Sequence, residues 1–297
     1  NILIKMLNED LTYIENNLKK EIKDLNAKKI LIIGGTGFFG VNLLNAFKHL
    51  VDKKIIECNV DIMSRSYKSF KDKYPDLYNF EYFSFINHDI TKRINIDNDY
   101  DFIIHAATTA SEDLSRENPS LMLNTIIQGT SNILDFCSHN NTTLLYISSG
   151  AVFGQDYNFK KNYTDFNAIN PLQQNYVYGY GKLCAENLCY YHSKKFNFPI
   201  KIARCFAFVG PYLPINTHFA IGNFIKNILN DEKILIRTKG ESIRSYLYTS
   251  DLVIWLIKIL TIGVNLKPYN VGSPHGISIK DLAFKFDEKY KVGLKFE

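Results

Sequence analysis

Tyr178 and Lys182 stand four residues apart in the stretch Tyr178-Gly179-Tyr180-Gly181-Lys182. A serine pair, Ser148-Ser149, precedes them, and a glycine-rich turn, Gly34-Gly35-Thr36-Gly37-Phe38-Phe39-Gly40, lies far upstream. On a helix, positions i and i+4 share a face, so a phenol and an ammonium can address one reacting atom. The neighbouring ammonium favours the phenolate and is expected to lower the tyrosine pKa towards neutrality, as a general acid/base requires. A serine hydroxyl beside them can bind a substrate oxygen, and the glycines can hold a nucleotide. Together these residues describe a site that moves a hydride and a proton.

The stretches between them predict the elements that must position these groups. Lys29-Ile30-Leu31-Ile32-Ile33 is an apolar run ending in glycine, the pattern of a buried parallel strand. A helix pattern follows through Val41, Leu43, Leu44, Phe47 and Leu50. Further strands are expected over 60–63, 80–85, 102–105, 144–147 and 200–204, with helices over 124–136 and 178–192. This alternation predicts an α/β fold, a doubly wound parallel sheet of Rossmann type, with ligands at the C-terminal strand ends. After Phe208 the rhythm loosens into turns, a helix over 220–229, strand pieces at 233–236 and 246–248, and a helix over 251–260. That tail reads as a smaller C-terminal α/β substrate lobe. Upstream, Leu7, Leu11, Ile14, Leu18, Ile22 and Leu25 predict one amphipathic helix over 7–25, bracing the domain that follows; a partner contact is the alternative. The division is residues 1–28 as N-terminal helix, 29–207 as dinucleotide-binding domain and 208–297 as mainly substrate lobe.

The 297 residues are 46% hydrophobic, which excludes disorder, and the net charge of +5 is spread without runs of like sign. Such a balance suits a small anionic substrate and argues neither for nucleic acid nor for a membrane surface. Cys58, Cys137, Cys184, Cys189 and Cys205 include no C-x-x-C pair and read as buried, reduced thiols of a cytoplasmic protein, with no metal site. No run is long enough to span a membrane, no signal peptide opens the chain, and a start on Asn1 suggests a piece of a slightly longer protein.

Gly34, Gly37 and Gly40 form G-x-x-G-x-x-G between a strand and a helix, so the helix N-terminus can face a pyrophosphate. An acidic residue ending the second strand would take the ribose hydroxyls of NAD, whereas a basic one accommodates the phosphate of NADP. The strand runs Val60-Asp61-Ile62-Met63-Ser64-Arg65; Ser64 is terminal, Arg65 follows and Asp61 lies inside, so NAD(P) is expected with NADP slightly favoured. Asp89 follows the third strand, within reach of an adenine ring. Ala106 and Ala107 close the fourth with small side chains that leave room for a cofactor, and His105 reads as structural.

Taken in order, the glycine turn, His105-Ala106-Ala107, Asn124 with Gly129-Thr130, Ser148-Ser149-Gly150-Ala151-Val152-Phe153-Gly154 and Tyr178-x-x-x-Lys182 resemble the extended short-chain dehydrogenase/reductase family, in its nucleotide-sugar epimerase and dehydratase branch. The segment 204–211, then Arg244-Ser245-Tyr246-Leu247-Tyr248 with Asp251, and 269–273 resemble the rest of that branch. The resemblance runs from about Lys29 to the end and implies a nucleotide-diphosphate sugar held beside a nicotinamide. It implies Tyr178 as acid/base, Lys182 on the nicotinamide ribose, Ser149 on the sugar 4-oxygen, Ser148 and Asn124 beside cofactor and lysine, and Arg244 with Asn223 on the substrate. A surface ion pair with Asp251 is the alternative for Arg244. The two long helices imply a homodimer.

Two departures narrow the chemistry. Dehydratases and decarboxylases of the branch carry an acidic residue just after the hydroxyl residue, where this chain has Gly150 and Ala151. Elimination is disfavoured unless Glu112, Asp113 or Asp156 reaches in. Ala207 stands where many relatives have an asparagine on the diphosphate. An epimerase is the leading expectation, followed by an NADPH-dependent 4-ketoreductase and a 4,6-dehydratase; the alternative outside enzymes is a cofactor-binding scaffold.

Overall fold

The computed structural model describes residues 6–107, 112–140, 142–154, 176–215, 219–236 and 239–296. In chain order the strands are β1 (Lys28–Ile33), β2 (Cys58–Ser64), β3 (Phe83–Asn87), β4 (Phe102–His105), β5 (Thr143–Ser149), β6 (Ile200–Cys205), β7 (Ala207–Val209), β8 (Ile234–Ile236), β9 (Ile243–Arg244), β10 (Tyr246–Tyr248), β11 (Pro268–Val271), β12 (Ile277–Ser278) and β13 (Leu294–Phe296). The helices are α1 (Asn8–Asn17), α2 (Ile22–Leu25), α3 (Phe38–Asp52), α4 (Lys68–Lys73), α5 (Pro75–Tyr78), α6 (Glu112–Glu117), α7 (Pro119–Ser138), α8 (Val177–Phe196), α9 (Ala220–Leu229), α10 (Thr249–Ile262) and α11 (Ile279–Tyr290).

Seven strands form one parallel sheet in the order β11-β6-β5-β4-β1-β2-β3. The order reverses between β1 and β4, which opens the crevice where doubly wound folds bind ligands. Alternation along β1 feeds two cores. Ile30 and Ile32 pack with Phe47 of α3 and Leu252 of α10, whereas Leu31 and Ile33 pack with Ile133 of α7 and Ala185 of α8. Phe224, Ile234, Ile236 and Ala283 form a separate small core in the C-terminal segment.

Two expectations move. The third strand runs Phe83–Asn87, later than the expected 80–85, because Pro75 opens α5 and the chain turns before pairing Phe83 with Val60. The single helix over 7–25 is two: Asn16 and Asn17 favour helix poorly, and the Asn17 amide donates back to the Tyr13 carbonyl at 2.9 Å where α1 ends. Ile14, Leu18 and Leu25 nonetheless bury completely against the main core. Glu15 pairs with His49 of α3 and with Lys53 just beyond its end, at 3.0 Å each, and the Tyr13 hydroxyl donates to Asp251 of α10 at 3.1 Å. The segment therefore lies across α3 and α10 as a brace. No helix among the described residues is long and apolar enough to cross a membrane.

Candidate active site

Gly34 follows β1 with φ +82°, and a Cβ there would lie 2.7 Å from the backbone of Ala107, so β1 and the end of β4 meet with no side chain between them. A side chain on Gly40 would strike the Gly35 backbone, which lets α3 close on the turn. Gly37 is exposed and caps α3 without any side-chain acceptor, so the amides of Phe38, Phe39 and Gly40 begin the helix facing outward, as an anion requires. This cradle fits a dinucleotide pyrophosphate.

Beside it, Ser64 ends β2 as expected, and its hydroxyl lies 2.9 Å from Thr36 Oγ1 of the turn. The buried Asp61 accepts from the Tyr100 hydroxyl at 2.6 Å and belongs to the core. Arg65 is exposed, and its charge helps hold the Asp89 carboxyl low; the larger cause is the Thr91 amide, which donates to Asp89 at 2.9 Å.

Ser149 at the end of β5 and Tyr178 in the first turn of α8 come together, close enough for the serine hydroxyl to act on the phenol. Two glycines in that helix make the meeting possible. Gly179 sits on the Ala151 carbonyl, where a Cβ would fall at 2.5 Å, and Gly181 sits on Ile126 and Leu123 of α7. Helix-interior glycine costs about 1 kcal/mol relative to alanine, so here close packing outweighs propensity. The expected lowering of the phenol is reversed: burial pushes Tyr178 up to about 12, against the opposing effect of the Ser149 hydroxyl. Lys182 does not offset this, because its ammonium points elsewhere. Nζ donates to the Ile147 carbonyl at 2.7 Å, lies 4.9 Å from the Tyr146 ring centre and only 5.9 Å from that of Tyr178. Burial lowers Lys182 to about 8, which leaves it mostly charged at neutral pH.

Ser148 faces the opposite way from Ser149 and is buried, its hydroxyl donating to Glu186 Oε1 at 2.5 Å. It is a core donor, not the cofactor ligand the sequence suggested. Glu186 also accepts from Arg204 Nε at 3.0 Å and from Arg204 Nη2 at 2.6 Å, a two-pronged buried pair that ties α8 to β6. Sequence reading missed Glu186, although it continues the i, i+4 row of Tyr178 and Lys182. Asn124 lies on an exposed position of α7, while the buried Ile126 faces Gly181 of α8. His105 is buried with Nε2 3.1 Å from Thr130 Oγ1, and burial with the Lys182 charge lowers it to about 3. Arg244 is exposed on β9, donating to the Ile243 carbonyl at 2.8 Å, while Asp251 accepts from Tyr13. Asn223 is half-buried on α9. Asp156 lies outside the described residues, as do the side chains of Glu112 and Asp113.

The sequence profile of the NAD dependent epimerase/dehydratase family matches residues 30–272. The chain belongs to this family. UDP-glucuronic acid decarboxylase 1 of Xenopus tropicalis is 30% identical over 265 residues, covering 89% of this chain and 61% of the relative. UDP-glucuronic acid decarboxylase 5 of Arabidopsis thaliana is 30% identical over 257 residues, 86% and 72% of the two chains. The chain thus spans about three fifths of the length of the Xenopus relative. Among solved structures, UDP-N-acetylglucosamine 4-epimerase from Methanobrevibacter ruminantium, in complex with UDP-N-acetylmuramic acid, superposes with a TM-score of 0.79 at 22% identity, covering 92% of this chain and 86% of that one. UDP-glucuronic acid 4-epimerase from Bacillus cereus, in complex with UDP-glucuronic acid and NAD, gives 0.76 at 24%, covering 91% and 85%. At these identities the likeness speaks to the fold alone.

Proposed function

We propose that this member of the epimerase/dehydratase family is a nucleotide-diphosphate-sugar 4-epimerase. The observation that carries the proposal is the approach of the Ser149 hydroxyl to the Tyr178 phenol beside Gly150 and Ala151, two residues with no proton to transfer. Epimerisation needs a proton moved at the sugar 4-oxygen and a hydride exchanged at C4, with no further residue to transfer protons. The phenol is protonated at rest, so it can donate to a 4-keto oxygen; to take the 4-hydroxyl proton it must first ionise, which the Ser149 hydroxyl favours and burial opposes. NAD(P), when bound, would supply a hydride acceptor and donor; Gly34, Gly37 and Gly40 would hold its pyrophosphate and Lys182 its ribose. Ser149 holds the 4-oxygen, and Arg244 and Asn223 are assigned to the substrate in the C-terminal lobe, a guanidinium suiting diphosphate oxygens. The exposed Leu121 of α7 and Tyr180, Tyr190 and Tyr191 of α8 support a homodimer through these helices.

Two further readings each have an observation behind them. Ser64 and Arg65, with Asp61 committed to Tyr100, favour NADP and hence a 4-ketoreductase consuming NADPH. The relatives named above favour decarboxylation of a UDP-uronic acid, against which stand Gly150 and Ala151. Incubation with a panel of nucleotide sugars, followed by NMR of the product sugar, separates the three. An epimerase interconverts 4-epimers with no net change at 340 nm, a reductase consumes NADPH mole for mole, and a decarboxylase releases CO2. Tyr178→Phe should lower the rate by roughly a hundred- to ten-thousand-fold while sugar binding persists; an unchanged rate removes Tyr178 from the chemistry.

A further inference from the structure

Tyr146 is the largest fully buried side chain among the described residues, and the functional reading so far gives it no role. It sits on β5 three residues before Ser149, with its hydroxyl making no hydrogen bond among the described residues. A buried hydroxyl without a partner is a cost, so whatever the side chain contributes resides in the ring. One face of that ring lies 4.9 Å from Lys182 Nζ, and His105 packs against it with ring centres 5.4 Å apart. The only hydrogen bond found for the ammonium among the described residues is to the Ile147 carbonyl, next in the same strand.

We propose that the Tyr146 ring is a positioning element for Lys182: a buried aromatic floor that, with the Ile147 carbonyl, holds the ammonium charged and aimed at the cofactor ribose. The proposal rests on the nicotinamide-cofactor reading above and deepens it. The physical reason is that ammonium is costly to bury and a ring face is a negative surface that needs no proton to bind it. The other titratable groups around Lys182 are Tyr178, Glu186 and Cys189 of α8, Cys205 of β6 and His105 of β4. Of these, burial keeps both thiols protonated and His105 neutral, and Glu186 is committed to Arg204 and Ser148. The ring is left as the nearest neutral group with a negative face.

The test replaces residue 146 in the full chain by phenylalanine and then by its difluoro and trifluoro analogues, which keep the shape and drain the ring face. NAD and NADP dissociation constants are measured at pH 7, and the lysine is titrated by the carbon-13 signal of its ε-carbon, assigned by its loss in Lys182→Met. Tyr146→Phe should bind cofactor within about twofold of the parent, since the hydroxyl makes no bond. Fluorination should then weaken binding stepwise, by about two- to thirty-fold in all. The lysine should titrate at progressively lower pH in the same order, because a weaker floor disfavours the charged form. In a Lys182→Met background the series should leave affinity flat. Equal titration across the series, or an equal loss of affinity without the lysine, overturns the assignment. A parent protein that binds neither NAD nor NADP overturns the functional reading instead, and the titration series still judges the ring.

Discussion

Replacing Gly179 by alanine should separate the stability of α8 from its chemistry. The new Cβ would fall 2.5 Å from the Ala151 carbonyl oxygen, about 0.9 Å inside ordinary van der Waals contact at 3.4 Å. The obstacle is backbone, so it cannot rotate aside, and the first turn of α8 must retreat by a comparable distance. Alanine returns about 1 kcal/mol of helix propensity, while overpacking costs about 1–3 kcal/mol. The net loss of stability is thus at most about 2 kcal/mol. The retreat carries Tyr178, one residue away, from Ser149, and a misplacement near 1 Å costs on the order of a hundredfold in turnover. Gly181→Ala is the matched control. Its Cβ meets only the flexible ends of Ile126 and Leu123 at 3.2 Å, so this variant should gain up to about 1 kcal/mol and keep its rate. The readouts are kcat/KM on the substrate found above and urea unfolding of each variant. Turnover within threefold of the parent in Gly179→Ala, or an equal fall in Gly181→Ala, would refute the close-approach reasoning.

Three other outcomes are expected. Glu186→Leu removes the carboxylate to which the buried Arg204 and Ser148 both donate and should cost about 3–5 kcal/mol, part of it recovered in the Glu186→Leu/Arg204→Met double variant, as urea midpoints will tell. His105 stays neutral in the fold down to about pH 3, whereas the unfolded chain takes up its proton below about 6.5. Stability present above pH 6.5 is therefore lost as pH falls towards 3, by up to about 1.4 kcal/mol per unit, and His105→Gln should flatten the slope in pH-dependent melting. Leu18→Ala should cost about 2–5 kcal/mol, read as a lowered melting temperature, if α1 and α2 brace the core; a loss under about 0.5 kcal/mol would mean that they merely rest on it.

Much of the fold and part of the site are legible from residue types alone. The strands at 102–105 and 200–204 and the helix over 220–229 lie almost where period and turn residues place them, because each is a short apolar run bounded by glycine, proline or polar residues. Ser64 as the last residue of β2 follows equally from the pattern. Ser148 does not: adjacent strand residues face opposite ways, and only the packed sheet shows which serine faces Tyr178 and which faces Glu186.

The sequence by itself therefore determined an α/β sheet with a nucleotide turn, and a tyrosine and a lysine on one face of a helix, because these depend on local period and spacing. The tertiary structure alone decided the electrostatics. The four-residue spacing let Lys182 reach Tyr178, yet a carbonyl of β5 and a ring beneath it draw the ammonium aside, and burial lifts the phenol to about 12. Desolvation and the direction of a flexible side chain depend on what packs around them, which no spacing along the chain encodes.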